Sequence, residues 1–253
     1  MPTSTQKSPK FKTQSLTRDT HGRLDRIRLQ MQHRAANRYF EQVRRIFPRP
    51  LEELFPGLLL ARAMIQDAVM TPYALANAEP YELVVMSTLC VHRQPRLMFE
   101  FGTFDGLTAL HMAMNSPADA RIVTVDLHPD DPIRQQTNDD TFYSRGMTVG
   151  SHFHGTAEAG KIEQIYSDTT KFDHTPYRKQ VDFIFVDAGH AYDLVRSDSQ
   201  KALEMIQPGG VIFWHDYHYA HEGVYSCLNE LAADVPLVQI PNTKFVCHIS
   251  PAV

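Results

Sequence analysis

A glycine-containing turn between two apolar runs constrains the fold of this chain more than any other feature. The apolar run 97–101 leads into a turn that ends at Gly106, and an apolar, helix-like run follows at 107–114. Twenty residues past Gly106, a second short apolar run, 122–125, ends on Asp126. A strand, a glycine turn, a helix and a second strand that ends in an acid predict one half of a nucleoside-binding sheet.

The spacing inside this turn separates two classes of nucleoside ligand. A dinucleotide site reads G-x-G-x-x-G, and its pyrophosphate rests on the start of the following helix. Here Glu100 stands two residues before Gly102, the next glycine is Gly106, and no glycine lies between them. A carboxylate at that position is poorly placed for a pyrophosphate, whereas it suits a cationic ligand such as a sulfonium amino acid.

The rest of the chain alternates strand-like and helix-like segments, which is typical of a parallel α/β sheet. The predicted strands are 97–101, 122–126, 162–166, 181–187 and 210–215, and the predicted helices are 80–92, 106–115, 191–206 and 220–233. Two short runs at 237–240 and 245–249 follow the last helix and predict an antiparallel hairpin at the sheet edge.

Two further clusters stand where the fourth and fifth predicted strands end. The first reads DAGHAY at 187–192 and the second reads HDY at 215–217. Together with the glycine turn, they resemble class I S-adenosylmethionine-dependent methyltransferases, in particular a subgroup of small-molecule and sugar O-methyltransferases. The resemblance runs from about residue 79 to about residue 249, and Ala188 departs from the glycine common in that subgroup. It implies a Rossmann-like α/β fold, with a mostly parallel seven-stranded sheet and an antiparallel C-terminal hairpin.

The resemblance also implies a function, which is methyl transfer from S-adenosylmethionine to a hydroxyl of a small-molecule acceptor. The cofactor-binding residues that it implies are Glu100, Gly102, Thr103, Phe104, Gly106, Asp126, Leu127, Asp168, Thr169 and Asp187. Within this set, the resemblance assigns Asp126 to the ribose and residues 168–169 to the adenine. The residues that it assigns to the methionine end are Glu100, Gly102, Thr103 and Gly106. Asp126 could instead cap a helix or lie in a solvated loop, and Asp168 could mark an ordinary helix start.

An alcohol acceptor must lose a proton, so a base or a metal is expected near it. His190 is the candidate base, since an imidazole titrates near neutral pH, and Asp187 is assigned to catalysis with it. Asp187 and Asp216 come from adjacent strand ends and could hold a divalent cation, with His215 as a third ligand. Oxygen ligands favour magnesium, whereas a histidine ligand also permits manganese or zinc. The alternatives are a His190 that caps the next helix and a cluster that orders a loop without a metal.

Charge is distributed unevenly along the chain, whose net charge is −4. Residues 1–50 hold 12 Lys and Arg and 3 Asp and Glu, which leaves 13 of the 25 basic and 26 of the 29 acidic residues for the remainder. We expect a disordered tail over 1–20, a basic helical arm over 21–78 with a helix at 24–47, and a methyltransferase domain over 79–253. Such an arm favours a homo-oligomer, and the absence of a folded basic face disfavours a nucleic-acid partner.

Three other features limit the function. No apolar run approaches the ~20 residues of a membrane-spanning helix and no signal peptide is visible, so a cytoplasmic location is expected. The three cysteines, Cys90, Cys227 and Cys247, are expected to be reduced thiols in the core. The polar segment 127–161 predicts either a lid over the ligand cleft or a disordered excursion.

Two rival functions remain open at this point. The rival enzyme is an NAD-dependent oxidoreductase, against which the missing middle glycine and Glu100 both count. The rival of another class is a non-catalytic module that binds a nucleoside and uses its arm to bind partners. The joint presence of Asp187, His190 and Asp216 favours an enzyme over that module.

Overall fold

The computed structural model of this protein describes residues 41, 43–65, 77–135 and 147–252. The chain divides into two compact units, residues 1–44 and residues 45–253. The expected tail and most of the expected arm helix lie outside the described residues, apart from helical backbone at Glu41 and Val43. The described part of the second unit contains the sheet and every side chain of the expected site.

Seven strands form one mixed sheet in the order β3-β2-β1-β4-β5-β7-β6. The strands are β1 Leu97–Phe101, β2 Arg121–Asp126, β3 Ile162–Tyr166, β4 Val181–Val186, β5 Ile206–Trp214, β6 Val238–Gln239 and β7 Val246–Ile249. Strands β1 to β5 are parallel, whereas β7 runs antiparallel to both β5 and β6. The prediction of a seven-stranded, mostly parallel sheet with an antiparallel C-terminal pair is confirmed.

The chain order reverses between β1 and β4, and this reversal decides where a ligand can bind. From β1 the chain continues to β2 and β3 on one side, and from β4 it continues to β5 on the other side. In such sheets, ligands bind in the crevice at the carboxyl ends of the strands, beside the reversal. Both β1 and β4 are buried over nearly their whole length, as expected of central parallel strands. The ends of β1, β2, β4 and β5 therefore meet at one edge of a rigid sheet.

Strand β5 differs from its prediction. A strand was expected at 210–215 after a Pro-Gly-Gly turn, but β5 begins at Ile206 and includes that tripeptide. Its pairing with β4 is irregular between Val181 and Phe183, and Gly209 has a φ of +76°. A glycine with positive φ inside a strand marks a bulge. The Pro-Gly-Gly segment therefore bends a continuing strand and does not separate two elements.

Helices cover the sheet at the predicted positions. In the second unit the described α-helices are α1 Leu51–Leu54, α2 Pro80–Arg93, α3 Leu107–Met114, α4 Tyr192–Met205 and α5 Glu222–Leu231. Helix α2 begins with a capping box, in which the N–H of Glu79 donates to the Glu82 carboxylate at 2.9 Å, and Pro80 takes the first helical position. Phe55 and Leu58, which precede α2, lie in the same hydrophobic core as its buried face.

The cysteines are buried, as expected from their apolar surroundings. All three are unpaired. Burial raises the pKa of the Cys90 thiol to about 12, which keeps it protonated and unreactive. Within the described ranges, every helix is too short or too polar to cross a lipid bilayer.

Candidate functional site

The glycine turn after β1 brings the ends of β1 and β4 into close contact. Gly102 has a φ of +94°, and a Cβ built on it would lie 2.3 Å from the main-chain oxygen of Asp187. Gly106 has a φ of +82° and directly precedes α3. Both positions need glycine, because an L side chain would be strained there. The close approach of two strand ends is a role of Gly102 that the sequence analysis did not identify.

Asp126, at the end of β2, accepts hydrogen bonds from the glycine turn. Its Oδ2 accepts the N–H of Thr103 at 3.1 Å and the N–H of Phe104 at 2.8 Å. Its Oδ1 accepts the N–H of Leu127 at 2.7 Å and pairs with the guanidinium of Arg134. The expected ribose acid therefore lies at the carboxyl edge of the sheet, where the protein itself already engages both of its oxygens.

Arg134 is a residue of this site that the sequence analysis missed. It lies in a short 3-10 helix, Pro132–Gln135, within the polar insertion after β2. Its side chain is only 5% exposed, and its Nε donates to the main-chain oxygen of Leu127 at 3.1 Å. Its Nη1 is buried and has no hydrogen-bond partner among the described residues. No motif could identify it, because an arginine in a polar segment is ordinarily solvated.

Glu100 is a buried carboxyl group with one unsatisfied oxygen. Its Oε2 accepts the hydroxyl of Thr124 at 2.6 Å, and that hydroxyl lies 2.7 Å from the hydroxyl of Thr103. Its Oε1 is buried and lacks a hydrogen-bond partner in the described part of the chain. Burial raises the pKa of Glu100 well above its usual value; the Thr124 hydrogen bond opposes this, and the Asp187 and Asp126 charges add to it. A cationic group against Oε1 would favour the carboxylate form.

The ends of β4 and β5 bring Asp187, His215 and Asp216 together. His215 Nδ1 lies 3.2 Å from Asp187 Oδ2 and 3.6 Å from Asp216 Oδ2, although neither contact has the geometry of a hydrogen bond. The other ring nitrogen, Nε2, lies 3.0 Å from Glu82 Oε2. One ligand atom from each of the three residues lies within 4.8 Å of the others, close enough to surround one cation.

Glu82 orients the His215 ring, and the sequence analysis missed it as well. It is buried in the first turn of α2, far from His215 along the chain. Its Oε2 accepts the N–H of Glu79, and its Oε1 accepts the N–H of Lys244 at 2.7 Å. Burial raises the pKa of Glu82, but the hydrogen bonds from His215 and from the backbone outweigh burial and lower it. One carboxylate thus connects α2, the end of β5 and the segment before β7.

His190 and Asp216 form a hydrogen-bonded pair at the same edge of the sheet. His190 Nε2 lies 2.8 Å from Asp216 Oδ2. On the other oxygen of Asp216, His221 Nε2 lies at 3.6 Å and Lys244 Nζ at 3.5 Å. The rings of His190 and His221 lie side by side with centroids 4.1 Å apart. Together with Asp216, these two histidines form a second group whose ligand atoms lie within 4.8 Å of one another.

The charges in this cluster shift its pKa values in different directions. Burial lowers the pKa of His215, but the carboxylates of Asp187 and Glu82 outweigh burial and raise it well above its usual value. Burial raises the pKa of Asp187, and the charge of His215 opposes this only in part. Burial also raises the pKa of Asp216, yet the hydrogen bond from His190 and the charge of His215 hold it well below its usual range. Asp216 is therefore ionised at neutral pH.

The expected adenine residues both contact other parts of the protein. Asp168 accepts the N–H of Thr170 at 2.9 Å and pairs with Lys171 Nζ at 2.9 Å, as an acid in a turn does. Thr169 is buried, and its hydroxyl donates to Asp198 Oδ2 at 3.0 Å. Asp198 lies on α4 and was not identified from the sequence. The assignment of residues 168–169 to adenine remains a prediction.

The described end of the insertion packs onto the glycine turn. The N–H of His152 donates to the main-chain oxygen of Asp105 at 2.8 Å. Phe153 is buried, and a Cβ built on Gly106 would lie 2.5 Å from its ring. The segment 127–161 was expected to be either a lid or a disordered excursion, and the packing of residues 147–156 favours the lid. Residues 136–146 lie outside the described ranges.

Comparisons with known proteins agree on the fold. Residues 99–217 match the family described as a methyltransferase domain. Among solved structures, the O-methyltransferase TomG from Streptomyces achromogenes is 16% identical, with a TM-score of 0.52 over 78% of this chain and 96% of that chain. The methyltransferase PaMTH1 from Podospora anserina is 15% identical, with a TM-score of 0.53 over 95% of this chain and 100% of that chain. No curated protein matches the sequence.

Proposed function

We propose that this chain, a class I methyltransferase with its family domain at residues 99–217, transfers the methyl group of S-adenosylmethionine to a hydroxyl of a small molecule. The family match confirms the class that the sequence predicted and counts against the oxidoreductase alternative. The observation that supports the acceptor chemistry best is the His190–Asp216 pair, 2.8 Å apart, at the edge where the strands end. It joins an imidazole to an ionised carboxylate beside the expected cofactor cleft.

The residues at the end of β1 fit the cofactor we propose. The amino acid part of S-adenosylmethionine carries an ammonium and a sulfonium, and Glu100 has a buried oxygen without a partner among the described residues. A cation there would form a charge-assisted contact with Glu100. Asp126, one strand away, would take the ribose hydroxyls. TomG is described in complex with S-adenosylmethionine and PaMTH1 with S-adenosylhomocysteine, which supports the same cofactor class here.

His190 is the proposed base, and Asp216 is its partner. Methyl transfer from a sulfonium is an in-line displacement that needs alignment and a deprotonated acceptor oxygen. His190 would accept the hydroxyl proton, and ionised Asp216 would orient the ring and stabilise the imidazolium that forms. From the sequence, Asp187 was expected to act in catalysis beside His190. Because Asp216 Oδ2 lies 2.8 Å from His190 Nε2, we propose Asp216 as the partner of the base and keep Asp187 for the cofactor cleft and the cation.

A divalent cation fits the residues at the ends of β4 and β5. His215 Nδ1 is buried without a hydrogen-bond partner in the described structure, while Nε2 faces Glu82. Histidines that bind metals commonly donate their other ring N–H to a carboxylate in this way. Asp187, His215 and Asp216 would hold Mg²⁺, or another divalent cation such as Mn²⁺. The cation would supply a positive charge that lowers the pKa of the acceptor hydroxyl.

The expected partners complete the proposal. The acceptor would be a small molecule, such as a sugar or a natural-product scaffold. A homo-oligomer through the N-terminal arm, the absence of a nucleic-acid partner and a cytoplasmic location remain predictions. A nucleoside-binding module without catalysis remains the alternative, and turnover decides between the two.

An activity assay tests the proposal. The protein is incubated with methyl-labelled S-adenosylmethionine and a panel of hydroxylated small molecules, and labelled product is counted. With an acceptor in hand, His190→Gln should lower kcat by about 10² to 10⁴, the usual contribution of a general base, and leave the KM for S-adenosylmethionine nearly unchanged. His174→Gln is the matched control, because His174 pairs with Glu204 away from the strand ends.

Two results would change the proposal in different ways. If cofactor binds and no acceptor is ever methylated, the non-catalytic alternative replaces the enzyme. If His190→Gln and His174→Gln have equal rates, His190 is not the base. A chelator followed by Mg²⁺ or Mn²⁺ tests the cation separately. If the chelator leaves the rate unchanged, the proposed cation is rejected and the rest of the proposal stands.

A further inference from the structure

The carboxylate of Asp126 has no capacity left for a ligand in this structure. A carboxylate offers about four lone-pair sites, two on each oxygen. Here Oδ2 accepts two main-chain N–H groups, from Thr103 and Phe104. Oδ1 accepts the N–H of Leu127 and pairs with Arg134. A ribose hydroxyl that donates to Asp126 must therefore displace one of these four donors.

Arg134 is the donor that can leave. The other three donors are main-chain groups of the glycine turn and of the residue after β2, so they move only if the backbone does. The Arg134 guanidinium reaches Asp126 at the end of a flexible side chain, from a 3-10 helix of four residues. Nη1 of that guanidinium is buried without a partner among the described residues. The position against Asp126 therefore leaves one hydrogen-bond donor of Arg134 unsatisfied.

We propose that Arg134 is a latch: it occupies the ribose position at Asp126 in the free protein, and the ribose hydroxyls of the cofactor displace it. This inference rests on the proposed function, because it assumes that a nucleoside binds at Asp126. In this role Arg134 lowers the affinity for the cofactor, because its guanidinium competes with the ribose hydroxyls for Asp126. It also links cofactor binding to the conformation of the insertion, since the displaced side chain belongs to residues 132–135.

The latch predicts an effect that is opposite to that of an ordinary binding residue. If Arg134 contacts the bound cofactor, its removal weakens binding. If it competes with the ribose, its removal tightens binding, and only for ligands that carry the diol. The sign of the change in affinity therefore separates the two roles.

The experiment is calorimetric titration of wild type and Arg134→Met, a substitution that keeps the apolar stem and removes the guanidinium. S-adenosylhomocysteine should bind Arg134→Met about tenfold or more tightly than wild type. Adenosine should show the same gain in competition, whereas 2′,3′-dideoxyadenosine should bind both proteins equally. Arg121→Met is the matched control, because Arg121 lies at the start of β2 and pairs with Glu163 on the surface. It should leave all three affinities unchanged.

The outcomes separate the latch from the proposed function. Equal or weaker binding of S-adenosylhomocysteine to Arg134→Met, with clear binding to wild type, overturns the latch and leaves the function standing. Binding to neither protein overturns both. If Arg134→Met does not fold, hydrogen exchange of wild type decides. The amides of residues 133–135 should exchange faster once S-adenosylhomocysteine is bound, and slower exchange there overturns the latch.

Discussion

Buried carboxyl groups of this protein differ in protonation because their partners differ. Glu100 and Asp198 each have a buried oxygen without a partner in the described structure, and burial raises the pKa of both. Asp216 is nearly as buried, but His190 and His215 keep its pKa low. Burial favours the neutral acid, and a cation or a donor at each oxygen favours the ion. The chemistry of each acid therefore follows from its contacts and not from its residue type.

We expect Asp198 to reduce the stability of the protein as pH rises from about 4 to about 7. Burial raises the pKa of Asp198 from 3.8 to about 7, against the Thr169 hydrogen bond and the charge of Lys201. The folded state thus retains a proton that the unfolded state has released. The contribution of protonated Asp198 to the free energy of unfolding is full below pH ~4 and is lost by pH ~7. The free energy of unfolding therefore falls by up to roughly 4 kcal/mol over this range. Chemical denaturation across this range, on wild type and Asp198→Asn, measures the slope, which the substitution should remove.

The control is Asp193→Asn, since Asp193 is an exposed acid on the same helix. That substitution leaves Asp198 in place, so the slope that Asp198 produces should remain. A wild-type slope that survives in Asp198→Asn would contradict a raised pKa at Asp198.

One side chain connects the start of α2 to the carboxyl edge of the sheet, where β5 ends. Glu82 caps its own helix, faces His215 at the end of β5 and accepts the N–H of Lys244 before β7. Helix α2 lies before the residues of the family match. The position of His215 therefore depends on an element outside the segment that carries the motifs.

We expect Glu82→Ala to destabilise the protein by about 3 to 5 kcal/mol, because it leaves the buried His215 ring without its carboxylate. The matched variant Glu79→Ala loses a helix-capping interaction, which costs about 1 kcal/mol, and a largely exposed contact with Lys244 Nζ at 3.6 Å, which adds little. Chemical denaturation of both variants measures the difference. Equal losses would mean that Glu82 acts through the cap alone.

The strands were predictable from the sequence, whereas the contacts that complete the site were not. The run at β4 is almost continuously apolar, and a buried parallel strand needs such a run. The start of β5 was missed because a Pro-Gly-Gly segment ordinarily signals a turn, and only pairing with β4 shows that the strand continues. Glu82 and Arg134 were missed because each acts through a partner distant in sequence or through burial of a charge. No local sequence pattern indicates a contact between distant residues or the burial of a charged side chain.

The segment 45–65 belongs to the same compact unit as the sheet. The N–H of Arg49 donates at 3.1 Å to the main-chain oxygen of Gln239, which is a residue of β6. Phe55 and Leu58 are buried in the main hydrophobic core. These residues fall within the stretch that the sequence assigned to an arm over 21–78. The boundary at 79 remains a prediction, and stability measurements on shortened chains can test it.

We expect a chain that starts at Arg45 to be as stable as the full chain, because the core described for residues 45–253 is retained. A chain that starts at residue 66 should lose at least about 4 kcal/mol, since Phe55 and Leu58 leave a cavity of core size. Thermal and chemical denaturation of the two shortened chains give the comparison. Equal stability of both would place the boundary after residue 65, nearer to the expected 79.

The proposed function depends on S-adenosylmethionine binding where β1 and β2 end, and a single titration can establish whether it does. S-adenosylhomocysteine is titrated calorimetrically into wild type and Asp126→Ala, with and without Mg²⁺. We predict micromolar binding to wild type and at least about tenfold weaker binding to Asp126→Ala, because the ribose loses its carboxylate. Absence of binding to wild type under every condition would contradict the account, and undiminished binding to Asp126→Ala would move the nucleoside away from the end of β2.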